Sequence, residues 1–231
     1  MMEEIELAIP GCFLSVSDDD LLITSNRPLS SLSTAIYGGG LRTIRYALNH
    51  RLTHYYPSEK DFPGGSVPAY LEECARRLTA DPEESAVLLT AATVSLYSHK
   101  IIQTGPVTVE IVTTGGVEKT ACRASSPALY REEEGRFMPL GTINMMVLLK
   151  GRLPDGIMAR AFITLTEGKT AALQDLGIAD VNNGLPATGT GTDASLSSPT
   201  PGALSSPMPA PSPNWAPLWQ KQPMNRSQNA W

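Results

Sequence analysis

The sequence Gly-Thr-Ile-Asn-Met-Met-Val-Leu-Leu at residues 141–149 begins the segment that decides the predicted fold. Its apolar part, residues 143–149, is typical of a strand covered on both faces. Residues 153–176 predict the longest helix, which closes at Gly177, a frequent left-handed cap. A polar loop, Ala-Thr-Gly-Thr-Gly-Thr-Asp-Ala at residues 187–194, follows it. The helix is expected to bury one side, consisting of Ile157, Ala161, Leu165, Ala172 and Leu176.

The remaining elements are predicted from shorter patterns. Three apolar segments at residues 5–9, 12–16 and 21–24, separated by turn residues, predict a small antiparallel meander. Helical spacing of apolar residues predicts a helix over 66–78, and a further helix is expected from Leu41. The segments 86–92, 93–102 and 107–113 are expected to be neighbouring strands of the main sheet. The prediction is therefore an α+β single domain with a mixed or antiparallel sheet packed with helices, including one long helix near 154–177.

Composition narrows the class of function. A chain of 231 residues with 42% hydrophobic content can bury one sizeable core. Its net charge of −5 argues against a nucleic-acid partner and favours a small molecule. Cys12, Cys74 and Cys122 have neither disulfide nor zinc-site spacing. The acidic start of the chain and the lack of an apolar run of roughly 18 residues predict a cytoplasmic protein without a membrane span. The oligomeric state is not determined by these features.

The composition changes after residue 194. Residues 195–231 are dominated by Ser and Pro and carry few charges, which is typical of a disordered tail. A shifted reading frame is the second explanation, because codons read one base early permit Val-Val-Val after Ala194 and a helical segment further on. Both explanations predict a domain over 1–194 and a distinct tail over 195–231.

Several polar residues could carry chemistry, each with a structural alternative. The loop of Thr188, Gly189, Thr190, Gly191 and Thr192 could pass close to a ligand or simply form turns. Asn144 could face a substrate or satisfy a neighbouring backbone group, and Asp193 could be a general base or an Asx turn residue. Glu167, Lys169 and Thr170 could form an acid/base cluster or a solvated helix face.

Two further glycine- or threonine-rich segments are ambiguous in the same way. Gly38, Gly39 and Gly40 could cradle a ligand or form a hinge before the helix expected from Leu41. Thr113 and Thr114 lie at the end of a strand, where backbone N–H groups often face a ligand. His50 and His54 have the spacing of a helical pair but lack a third ligand, so no metal site is predicted.

These blocks, in this order, resemble the adenosylcobinamide amidohydrolase family. Seven segments carry the resemblance: 25–29, 37–41, 89–94, 113–117, 141–149, 166–177 and 187–194. The resemblance implies that the chain hydrolyses the amide between the corrin propionyl arm and aminopropanol, giving adenosylcobyric acid in corrinoid salvage for cobalamin biosynthesis. The corrinoid is then the substrate, and no cofactor is expected. Residues 49–65 depart from the family pattern, which puts substrate contacts there in doubt.

The resemblance also implies roles for individual residues. Water would be the nucleophile, with Glu167 or Asp193 as its base and the loop from Thr188 to Thr192 as the oxyanion donor. The expected catalytic set is Glu167, Asp193, Lys169 and Asn144. The expected binding set adds Thr170, Gln174, Gly38, Gly39, Gly40, Thr113 and Thr114 to that loop. The alternatives are a non-catalytic corrinoid-binding protein, an inactive truncated homologue, or another small-molecule hydrolase on the same scaffold.

Overall fold

A computed structural model of the protein describes residues 3–105, 107–126, 141–151 and 153–200. These residues contain nine strands and two α-helices, mixed in a single α+β domain as predicted. The strands are β1 Glu3–Glu6, β2 Cys12–Val16, β3 Asp20–Ser33, β4 Gly40–Arg51, β5 Ser85–Thr90, β6 Ser98–Thr104, β7 Val107–Gly115, β8 Ile143–Lys150 and β9 Ala194–Thr200. The helices are α1 Val67–Arg77 and α2 Asp155–Asp175.

All nine strands join one curled, mostly antiparallel sheet. Its order is β1-β2-β3-β9-β8-β7-β6, with β4 beside β3 and β5 beside β4. The pairs β4–β5 and β8–β9 are parallel. The long strand β3 changes register between Thr24 and Leu29, and it pairs with β2 before this point and with β9 after it. The irregularity lets one strand join the meander to the second half of the sheet.

Strand β8 lies between two apolar cores, as its continuous apolar sequence predicts. Met146 and Leu148 face the inside of the curled sheet, in one cluster with Leu196 of β9. Met145 and Val147 face the other way and pack with residues of α2 such as Leu165. A third cluster joins α1 to β4 and β5. Because both faces of β8 are packed, its start is held in place, and the loop that follows α2 lies against it.

The structure corrects several local predictions. The segment from Leu41 is strand β4 rather than a helix, so His50 and His54 are not a helical pair. Strand β5 pairs with β4 instead of β6, and residues 94–96 form a short 3₁₀ turn before β6. In each case a short apolar run was compatible with two structures: a helix or a strand, or a strand beside one neighbour or another. Pairing with strands that are distant in sequence decided which one forms.

Helix α2 lies within two residues of its predicted bounds, and its buried side overlaps the predicted one. The predicted residues Ile157, Ala161, Ala172 and Leu176 are half-buried. Its fully buried residues are Met158, Leu165, Gly168 and Leu173, and of these the sequence prediction included only Leu165. Small and apolar residues occur on more than one side of this helix, so periodicity alone did not decide which of them are most deeply buried. The helix ends as predicted at Gly177, whose φ is +67°.

Strand β9 continues past the predicted domain boundary at residue 194. Residues 195–200, which composition assigned to the tail, pair with β8, and Leu196 and Ser197 also pair with β3. Leu196 is completely buried in the inner core. The predicted tail over 201–231 lies outside the described residues. In the described part of the chain, neither helix combines the length and apolar character that crossing a bilayer requires.

Candidate functional site

The carboxylate of Asp193 is the centre of the polar cluster at the start of β8 and β9. Its Oδ1 accepts the N–H of Ile143 at 3.0 Å and the hydroxyl of Thr190 at 2.6 Å. Its Oδ2 accepts the N–H of Thr190 at 3.0 Å and pairs with the ammonium group of Lys169. A carboxylate has about four lone-pair positions. Asp193 therefore has no free acceptor position for a water molecule in this structure.

Helix α2 holds the loop through two adjacent side chains. Lys169 makes the ion pair with Asp193, and both side chains are largely buried. Thr170 donates its hydroxyl to the carbonyl of Thr188 at 3.2 Å. A Cβ atom added to Gly189 would overlap Asp193 Oδ2 and lie 2.7 Å from Lys169 Nζ. The glycine at this position allows the loop to pass directly over the ion pair.

The other side of the loop is held by residues 121–126. The carbonyl of Cys122 accepts the N–H groups of Thr188 and Gly189, at 2.9 and 3.2 Å. Thr188 Oγ1 accepts the N–H of Ala124 at 2.9 Å. Burial, followed by the charges of Asp180 and Asp193, raises the pKa of the Cys122 thiol above its usual value. The thiol therefore stays protonated near neutral pH, which argues against Cys122 as a nucleophile.

These bonds decide which loop amides remain available. The N–H groups of Thr188, Gly189 and Thr190 are already donated within the protein. Thr192 N–H makes only a 3.5 Å contact with the hydroxyl of Thr190. Gly191 is exposed, and its N–H donates to no other described residue. Among the five residues predicted to donate to an oxyanion, only Gly191 and Thr192, at the tip of the loop, have backbone N–H groups that are not firmly bonded within the described part of the chain.

Asn144 is buried in a short chain of polar side chains inside the sheet. Its Nδ2 donates to Asn49 Oδ1 at 2.8 Å and to the carbonyl of Leu89 at 3.0 Å. Asn49 in turn donates to Thr114 Oγ1 at 2.8 Å. Asn144 is 1% exposed, and its Oδ1 has no partner among the described residues. The bond to Leu89 is the structural role that the sequence left open, and the hydrogen bonds of this side chain join it to β4 and β5 rather than to the cluster around Asp193.

Glu167 and Gln174 lie on the exposed part of α2. The carboxylate of Glu167 makes no hydrogen bond or ion pair with another described residue. Glu167 is one helical turn before Thr170, about 60° around the axis from it. Lys169, two residues after Glu167, lies about 160° around the axis from it. The unpaired carboxylate of Glu167 is therefore one helical turn from Thr170 but on the exposed side of α2, away from Lys169.

Gly38 and Gly39 end the connection between β3 and β4, and Gly40 is the first residue of β4. A Cβ atom on Gly38 would overlap the carbonyl oxygen of Ser85, and one on Gly39 would overlap the carbonyl oxygen of Ala35. Close backbone packing accounts for these two glycines, and φ of +87° accounts for Gly40. Thr113 is half-buried in β7, where it pairs with Met145, and Thr114 is buried in the chain with Asn49. No described contact joins these residues to the loop from Thr188.

His50 belongs to a separate cluster that joins the sheet to α1. Its Nδ1 is 2.6 Å from Asp20 Oδ1, and its Nε2 is 2.7 Å from the hydroxyl of Tyr70. His54 is exposed. In the described part of the chain, no group of three His, Cys, Asp or Glu side chains has the geometry of a metal site.

Comparisons with known proteins identify the family. The model of the adenosylcobinamide amidohydrolase (CbiZ) family matches residues 13–202, which include every residue of the cluster described above. The chain belongs to this family. It is also 28% identical, over 168 residues, to the uncharacterized protein MJ1613 of Methanocaldococcus jannaschii. That match covers 67% of this chain and 64% of the relative, so it spans less than two thirds of the relative's length.

One solved structure shows a weak likeness to this member of the adenosylcobinamide amidohydrolase family. The PH0078 protein from Pyrococcus horikoshii OT3 matches with a TM-score of 0.38 and 13% identity, over 86% of this chain and 71% of that one. These values are too low to support a shared fold.

Sequence reasoning missed residues that organise the site of this family member. Thr142 is buried and donates its hydroxyl to the carbonyl of Thr192, and Asp180 is buried and bonded to the segment that holds the loop. Asn49 is buried and bonded to the predicted residues Asn144 and Thr114. In the sequence, the one feature that marks them is that each is a polar residue next to apolar residues. Many surface residues have the same feature. Only the register of the strands and the path of the loops bring these residues to the site.

Proposed function

We propose that this chain hydrolyses the amide bond between the corrin propionyl arm and aminopropanol in adenosylcobinamide. Family membership supports a hydrolase that acts on this class of substrate. The geometric support is a buried Lys169–Asp193 pair under a loop with an unused N–H at Gly191, together with the unpaired carboxylate of Glu167, one helical turn before Thr170. An amide hydrolase needs a base, an oxyanion donor and an acid, and this cluster can supply all three.

We assign the base to Glu167 rather than Asp193. A general base must accept a hydrogen bond from the water that it activates. All four acceptor positions of Asp193 are occupied, whereas Glu167 is free to accept one. Asp193 then acts as the residue that positions Lys169 and the loop.

In the proposed reaction, Glu167 takes a proton as water attacks the amide carbon. Lys169 and the Gly191 N–H stabilise the negative charge on the carbonyl oxygen. Glu167 returns its proton to the nitrogen as the C–N bond breaks, so aminopropanol leaves as a neutral amine. The other product is adenosylcobyric acid, which would be used again in cobalamin biosynthesis.

Replacement of Glu167 by Gln tests this assignment. Loss of the base should lower kcat by about 10²- to 10⁴-fold and leave corrinoid binding intact. Aminopropanol release from adenosylcobinamide is measured by mass spectrometry, and binding is measured by a change in the corrinoid absorption spectrum. Asp175→Asn, on an exposed part of the same helix, is the matched control and should retain turnover. Wild-type turnover by Glu167→Gln would refute the assignment.

The second candidate is a corrinoid-binding protein without catalytic activity. The buried hydroxyls of Ser197 and Ser198 in β9 have no partner among the described residues, which is unusual in a central strand. A weakened β9 would loosen Asp193, which immediately precedes it. A folded wild-type chain that binds adenosylcobinamide but releases no aminopropanol would favour this candidate over the hydrolase.

A further inference from the structure

Asp180 lies outside the cluster and is bonded to the segment that holds its loop. The carboxylate is 1% exposed and accepts the N–H of Arg123 at 2.7 Å and the N–H of Asn182 at 2.8 Å. It also accepts the hydroxyl of Ser126. Ser126 and both of these N–H groups lower the pKa of Asp180 to about 2, although burial acts against this shift. The side chain therefore remains a carboxylate throughout the physiological pH range.

A continuous series of hydrogen bonds leads from Asp180 to the ion pair. Asp180 fixes Arg123, whose neighbours Cys122 and Ala124 make four hydrogen bonds with Thr188 and Gly189. The backbone of Gly189 lies directly over the atoms of Lys169 and Asp193. A shift of residues 122–124 would therefore move Gly189 toward the ion pair or away from it.

We propose that Asp180 is a positioning residue for the reaction, because it fixes the distance between the Thr188–Gly189 backbone and the Lys169–Asp193 ion pair. This inference rests on the proposed function, since it names a residue that supports the same site. Asp180 touches none of the groups assigned to the reacting atoms. Its effect should appear in kcat rather than in KM, since misplacement by about 1 Å can cost about 10²-fold in rate.

Asp180→Asn is the main test, because it keeps the shape of the side chain and replaces one acceptor oxygen by a donor. We expect kcat to fall by about 10- to 100-fold and KM to change by less than about threefold. Asp81→Asn is the matched control: Asp81 also accepts a backbone N–H, from Glu83, but belongs to a turn that no described contact joins to the loop. Ser126→Ala, which removes a single donor, is the milder variant and should lower kcat by at least about threefold.

A double variant separates positioning from general destabilisation. Thr188→Val removes the acceptor for the Ala124 N–H, which is a later bond of the same series. If both residues act through this series, the combined variant should lose little more kcat than the more damaging single variant. If the two losses multiply, or if folded Asp180→Asn has the wild-type kcat, the inference is wrong.

Hydrogen exchange tests the same inference without turnover. The N–H groups of Thr188 and Gly189 should exchange at least about tenfold faster in Asp180→Asn than in the wild type or Asp81→Asn. Unchanged exchange would overturn the positioning role even if the protein is an active hydrolase. If the wild type releases no aminopropanol but the exchange rates change as expected, the hydrolase proposal fails and the structural role of Asp180 stands.

Discussion

At the scale of a single residue, Gly189 shows why the loop alternates Gly with Thr. A side chain at this position would overlap the Lys169–Asp193 ion pair, whereas a methyl group at Gly191 would meet no other atom within 4 Å. We expect Gly189→Ala to lower the free energy of unfolding by about 1–3 kcal/mol and to reduce turnover, because the buried pair must move apart. Gly191→Ala should change stability by less than about 0.5 kcal/mol. Urea unfolding of both variants measures the difference, and equal stability would contradict the close approach.

At the scale of an element, β9 combines a central position with an unsuitable sequence. Ser198 lies beside Leu148 in register, and its hydroxyl is buried without a partner among the described residues. Ser198→Val removes an unpaired polar group and adds apolar area, so we expect a gain of about 1 kcal/mol in the free energy of unfolding.

Two matched variants test the cause of that gain. Ser198→Ala removes the hydroxyl without adding volume and should also stabilise the protein. Ser33→Ala removes a buried hydroxyl that does accept a hydrogen bond, from Ala35 N–H at 3.0 Å, and should cost about 1 kcal/mol. Thermal unfolding of the three variants compares them. A loss of stability in Ser198→Ala would mean that this hydroxyl is bonded after all.

At the scale of the whole molecule, His50 joins β3, β4 and α1 through Asp20 and Tyr70. Burial opposes its charge, but the hydrogen bond with Asp20 and the proximity of Cys74 outweigh it and raise the pKa of His50 to about 9. The usual value of about 6.5 applies to the unfolded chain. The folded state therefore binds the proton more tightly, and this stabilisation is complete below about pH 6.5 and is lost as the pH rises through 9.

The corresponding loss is on the order of 3 kcal/mol between about pH 6 and pH 10. Urea unfolding across this range measures it. His50→Gln should remove this pH dependence, and His54→Gln, at an exposed position, should retain it. An unchanged slope in His50→Gln would show that another group is responsible.

The sequence by itself determined the elements whose signals are local. Strand β8, helices α1 and α2 and the β1–β2–β3 meander follow from apolar periodicity and turn residues, which act over a few neighbouring positions. The blocks around residues 141–149, 166–177 and 187–194 also determined the family, which the match over residues 13–202 confirmed.

Only the tertiary structure decided which of these residues meet. Lys169 and Asp193 are 24 positions apart, and the ion pair forms because α2 docks on β8 while β9 enters the sheet beside it. Contacts between distant segments decide in the same way which residues of α2 are most deeply buried, that β5 pairs with β4, and that Asn144 is buried. Side-chain periodicity fixes which residues are able to be buried, but the partner that covers them is set by packing across the whole fold.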